Sequence, residues 1–163
     1  MGQKIKANKK YPFFSDYNND DYILRHDCGK VVPVREQKEK RTYRMYNPYE
    51  KELVVYQIDG GIITDNEVKK CDFGIYTETD CLYLIELKGA DLGTALEQIN
   101  KTIELLIKSK RIVITKLNVR IVLSKARIPD YLSTEEKRLK LLLKKSYGDG
   151  DYVKKCILLE DTI

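Results

Sequence analysis

The sequence is short of the residues that most often build a metal or thiol scaffold. It has one histidine, His26, and four scattered cysteines, Cys28, Cys71, Cys81 and Cys156, with no Cys-x-x-Cys pair. So sparse a set argues against a disulfide framework. It also makes a poor basis for structural zinc, although His26 stands two residues before Cys28. No apolar run approaches the roughly 20 residues of a bilayer-spanning helix. The N-terminal MGQKIKANKK lacks the apolar stretch of a secretory signal, and Lys6 stands where a myristoylation signal needs Ser or Thr. No internal repeat appears. The expectation is a cytoplasmic protein with no membrane partner.

What the sequence does have is charge and enough apolar residues for a core. Of 163 residues, 42% are hydrophobic and 34% charged, which fits one globular domain, 1–163. The net charge of +5 is unevenly placed. Residues 1–51 hold 12 Lys/Arg against 7 Asp/Glu, whereas residues 52–163 hold 18 of each sign. We therefore read 1–51 as a basic N-terminal extension and 52–163 as the core. Such an extension suits a polyanion, because phosphate contacts come from Lys and Arg. A solvated basic terminus explains the same charge equally well. Within it, Arg35, Lys38, Lys40, Arg41 and Arg44 mix with Tyr43 and Tyr46, a combination that grips a nucleic-acid backbone and stacks on bases. A plain charged surface is the competing reading.

Along the chain, Val31–Val34 predicts a short strand limited by Pro33. Leu53–Ile58 predicts a strand, followed by Asp59-Gly60-Gly61 as a bulge or close backbone approach, with Ile62–Thr64 continuing it. Val68–Tyr76 and Cys81–Leu87 predict two further strands, so that the core begins as a three-stranded antiparallel meander. From Asp91, a plausible N-cap, apolar residues recur at Leu92, Ala95, Leu96, Ile99, Ile103, Leu106 and Ile107 with helical spacing. Asn118–Ser124 predicts a strand and completes a strand–helix–strand unit. Ile112–Thr115 is read as a short strand or a turn. A helix over Ser133–Lys145 and a last strand over Tyr152–Leu159 follow.

Three polar residues interrupt the meander: Asp72 in one strand, Glu86 and Lys88 in the next. Side chains two apart on a strand share a face, so Glu86 and Lys88 emerge together while Leu87 turns the other way. The opposite face would carry Phe73, Ile75, Tyr83, Ile85 and Leu87. For Asp72 to face Glu86 directly, the numbers of paired residues must sum to 158. That requires an odd loop of three or five residues centred on Thr79, or a bulge. Surface ion pairing of Glu86 and Lys88 with Asp72 and Lys70 is the bland alternative, and such pairs contribute little.

Glu-x-Lys occurs four times, at Glu36, Glu67, Glu86 and Glu135, but only at Glu86 does it end a β-like apolar run with an Asp in the preceding strand and a helix directly after. Asp72, a gap, then Glu86-Leu87-Lys88 resembles the PD-(D/E)xK nuclease superfamily over roughly residues 52 to 125, with Cys71 where the family's proline stands. The resemblance implies an α/β (α+β) restriction-endonuclease-like core: an antiparallel meander, a helix and a further strand, in a mixed central sheet flanked by helices. It implies metal-dependent hydrolysis of phosphodiester bonds, in DNA first of all, with Mg²⁺ as cofactor and Mn²⁺ as a substitute. Asp72, Glu86 and the carbonyl of Leu87 would hold the metal. Lys88 would orient or deprotonate the attacking water. Asp59, Glu52 and Glu36 are candidates for an additional acidic residue, and Gln98 for the glutamine found in some branches; a solvent-facing Gln98 is equally compatible. Two alternatives stand beside this reading. One is a non-catalytic nucleic-acid- or protein-binding module on a nuclease fold; the other is a Holliday-junction resolvase, which acts as a homodimer.

Overall fold

The computed structural model describes residues 4–88, 91–124 and 131–163, at Lys88 the backbone alone. Its centre is the expected meander: β4 (Leu53–Gln57), β5 (Phe73–Thr77) and β6 (Cys81–Lys88), each antiparallel to the next. The β5–β6 pairs run from Thr77↔Cys81 to Phe73↔Ile85, so every pair sums to 158. A three-residue loop centred on Thr79 closes the hairpin, with Asp80 at φ 56°.

Asp91 caps the helix α2 (Leu92–Ile103) by accepting the Thr94 N–H at 3.0 Å. A π turn over Glu104–Lys108 extends it, and the buried stripe Ala95, Leu96, Ile99, Ile103, Leu106 and Ile107 is the one the periodicity predicts. The chain returns as β7 (Lys116–Leu123), parallel to β6. Then α3 (Thr134–Ser146) leads to β8 (Tyr152–Cys156), parallel to β7. With β1 (Ile23–Asp27) on the free side of β4, the order is β1-β4-β5-β6-β7-β8, a mixed six-stranded sheet.

Within the stretch read as a basic extension, residues 5–46 contribute to both layers of the core. Tyr11, Phe13, Phe14 and Tyr17, on and around α1 (Pro12–Asp16), are buried with α2 and α3 against one face of the large sheet, Phe13 lying 5.4 Å from Tyr56. The other face is covered by a second sheet rather than a helix. It consists of β2 (Val31–Val34), β3 (Thr42–Tyr46) and the C-terminal β9 (Leu158–Thr162), which runs parallel to β3. Val32, Val34, Tyr43, Met45 and Leu159 pack there on Ile75, Tyr83, Ile85 and Leu87, with half-buried Phe73 beside them. That is the apolar face expected from strand alternation. Pro33 sits on the edge strand β2, where its missing N–H costs no ladder bond. Buried Arg120 ties the two sheets together, reaching Asp161 at 2.6 Å and Asp151 at 2.8 Å, while the Tyr43 hydroxyl donates to Asp161 at 2.8 Å.

Three expectations are corrected. Ile62–Thr64 do not continue β4; the chain reverses there, with Ile62 N donating to Gln57 O and Ile63 N to Ile58 O. The close approach expected at the glycines is real, since a Cβ on Gly61 would lie 2.1 Å from the Gln57 oxygen. The second strand begins at Phe73 rather than Val68, because α2 holds the preceding backbone. For Ile112–Thr115 the expectation left a strand or a turn open, and the chain there forms no strand but bends at Thr115. The last strand breaks at Ile157, whose φ of 66° is rare for a β-branched residue and carries the chain from one sheet to the other. Among the described residues no helix is long and apolar enough to cross a membrane.

Candidate functional site

The site is built where β5 starts late. Continuing the observed register places Asp72 opposite Glu86 and Cys71 opposite Leu87. Cys71, however, is drawn out of the ladder towards α2. Its N–H donates to Thr102 Oγ1 at 2.8 Å, and Gln98 Nε2 donates to the Lys70 carbonyl at 2.9 Å. The N–H and C=O of Leu87 therefore lose their backbone partners on the β5 side, the edge on which one residue's two polar groups lie together. Side chains replace them. The Leu87 N–H donates to Asp72 Oδ2 at 2.7 Å, and the Leu87 carbonyl accepts from Arg41 Nη1 at 2.8 Å.

Asp72 and Glu86 are both buried, Glu86 to 1% exposure. Cys71 is fully enclosed beside them. Burial pushes its thiol well above the ordinary value, and the charges of Glu86 and Asp72 push in the same direction. A cleft of about 370 Å³ opens at Asp72, lined also by Phe73, Gln57, Asp59, Glu36 and Arg35. Asp59 is half exposed and 3.4 Å from the buried ammonium of Lys70, which donates to the Asp65 carbonyl.

The candidates thus divide. Asp72, Asp59 and Glu36 share one cleft, with Glu86 opposite Asp72 by register. Gln98, partly buried, donates through Nε2 to the site's backbone, and its buried Oε1 finds no donor among the described residues. Glu52 is elsewhere: it precedes β4 at the Thr77 end, accepts from Ile5 N at 2.6 Å and pairs with His26 at 3.0 Å. Lys88 ends β6 opposite Leu123, and its side chain lies outside the described residues. Lys70 pairs with Asp59. Of the five basic residues, Arg35, Lys38 and Lys40 are exposed on the β2–β3 loop. Arg44 is bound to Glu160 at 2.8 Å, and Arg41 is turned inward.

Thr102 escaped the sequence reading, and so did the inward contact of Arg41, which was read there only as one of five basic residues meeting nucleic acid. Thr102 follows Gln98 by one helical turn on the same face, and that spacing is the signal that could have found it. Arg41 carries no local signal, because its partner is 46 residues away.

The donor set suits a hard cation in part. Two buried carboxylates supply the oxygen ligands that Mg²⁺ prefers, and Mg²⁺ keeps several waters. The third expected ligand, the Leu87 carbonyl, is engaged by a guanidinium. Among the described residues no three His, Cys, Asp or Glu side chains converge as a ready metal cluster. No family model, curated protein or solved structure gives a significant match to this chain.

Proposed function

We propose that this chain is a metal-dependent nuclease of the PD-(D/E)xK type, with a restriction-endonuclease-like core formed by β4, β5, β6, α2 and β7. The observation that supports the reading is the register: β5–β6 pairs sum to 158 up to Phe73↔Ile85, and one further step along it would set Asp72 against Glu86, at the end of a hairpin that leads into a helix and a parallel strand.

Phosphodiester hydrolysis needs a water made nucleophilic and a phosphate whose growing charge is balanced. Bound Mg²⁺ supplies both effects, and Asp72 and Glu86 are the residues that would hold it. Lys88, next but one along β6, would hold or take the proton of the attacking water. Arg35, Lys38 and Lys40 stand exposed on the loop beside the cleft, where the phosphates of a DNA strand would be met.

A second reading has its own support. Asp72 satisfies the Leu87 N–H, a role that a non-catalytic binding module would equally need. Incubation with supercoiled, linear, single-stranded and branched DNA, and with RNA, in Mg²⁺, Mn²⁺ or EDTA separates the two. A nuclease cuts with metal, stops in EDTA and is silenced by Lys88→Ala. A binding module retains DNA without cutting it. Preference for branched DNA by a homodimer would narrow the substrate to that of a junction resolvase.

A further inference from the structure

We propose that Arg41 is a displaceable plug on the cation site. This rests on the nuclease reading and adds to it a control on metal entry. The Leu87 carbonyl is the backbone oxygen expected to complete the metal's protein ligands, and Arg41 Nη1 donates to that same oxygen at 2.8 Å. The guanidinium reaches the same residue of β6 whose N–H Asp72 accepts, so the two polar groups of Leu87 are held by Arg41 and by the carboxylate a metal would use.

The seat is incompletely made. Arg41 is only 12% exposed, yet its buried Nε–H finds no acceptor among the described residues, and its other contact is Glu39 at 2.7 Å, an exposed carboxylate. A buried donor left unsatisfied opposes the contact that holds it. The anchor through Glu39 is a solvent-facing ion pair of small worth. Arg41 also ends the loop whose Arg35, Glu36 and Gln37 wall the cleft at Asp72. Releasing Arg41 frees both the Leu87 oxygen and that loop, so metal loading and opening of the cleft are one event.

The test is Mn²⁺ titration of the full chain by calorimetry and electron paramagnetic resonance, beside hydrogen exchange of residues 35–41. The wild type should bind Mn²⁺ with faster exchange in the loop, and Asp72→Asn should abolish binding. Arg41→Ala should bind about tenfold tighter, the order expected from removing a competing charge-assisted hydrogen bond. Glu39→Gln alters only an exposed side chain and should tighten binding about two- to threefold through the weakened anchor. Asp72-dependent binding that is unchanged or weaker in both Arg41→Ala and Glu39→Gln overturns the plug and leaves the nuclease reading standing. Absence of any Asp72-dependent binding, in the wild type and in both variants, overturns the nuclease reading and the plug with it.

Discussion

Asp72 has one duty in the structure and a second in the proposed chemistry. Its Oδ2 is the acceptor for a buried N–H, and its charge is the candidate metal ligand. Asparagine keeps an oxygen for Leu87 but lacks the charge; alanine lacks both. Asp72→Ala should therefore lose about 1–3 kcal/mol through the orphaned donor, whereas Asp72→Asn should stay within about 1 kcal/mol of wild type. Both should lose cleavage and Mn²⁺ binding. Urea unfolding beside the cleavage assay reads the two duties apart. An Asp72→Asn protein that folds normally and still cuts would remove Asp72 from the chemistry. Asp72 and Glu86 were legible in the sequence because a polar residue in an apolar strand stands out, and because a two-residue period fixes what it can face. Arg41 was not, since a guanidinium in a charged run looks the same whether it meets solvent or a distant carbonyl.

Among the elements, α3 shows most plainly how a surface helix is fixed to the sheet. Ser133 and Glu136 form a capping box, and Glu136, buried at the first turn, also accepts from the Tyr152 hydroxyl at 2.7 Å and pairs with Lys154 at 2.6 Å. Burial pushes the Glu136 carboxyl up. Lys154, the Ser133 N–H and Tyr152 outweigh that, leaving it below the ordinary 4.5. A carboxyl so lowered contributes stability that is present above pH 4.5 and is lost as pH falls through the folded-state value. Glu136→Ala should cost about 3–5 kcal/mol at neutral pH, because it strands a buried ammonium. The difference between wild type and Glu136→Gln should shrink as pH drops below 4.5, read by denaturant unfolding across pH. A difference that stays constant with pH would contradict this account.

Elements with local signals were legible. The Asp91 cap and the helix from Ser133 follow from a few neighbouring residues, and the odd β5–β6 loop from the period of two along its strands. The small sheet was not, because β3 pairs in parallel with β9 from the far end of the chain, and charge at Arg44 obscures the inward pair Tyr43 and Met45. The switch at Ile157 was equally hidden. No turn residue marks it, and the positive φ is imposed by the Leu123 carbonyl accepting its N–H and by Thr42 donating to its carbonyl.

At the scale of the whole molecule, the backbone ladder between β5 and β6 is opened at Leu87 and polar side chains fill it. The Arg120 network fixes the small sheet on the large one, and the small sheet in turn carries the loop that delivers Arg41 to Leu87. On the opposite face, α2 withdraws Cys71 and thereby exposes the β6 edge. The site is thus made by both layers, a device that neither sheet nor helix could supply alone. Its central claim is that Asp72 and Glu86 share one cation, and anomalous diffraction from crystals grown with Mn²⁺ measures that directly. The account predicts a single strong peak within about 2.2 Å of a carboxylate oxygen from each residue, close to the metal–oxygen distances of hard cations, with Arg41 withdrawn from the Leu87 carbonyl. A peak elsewhere, or none, with Arg41 still seated on Leu87, would contradict it.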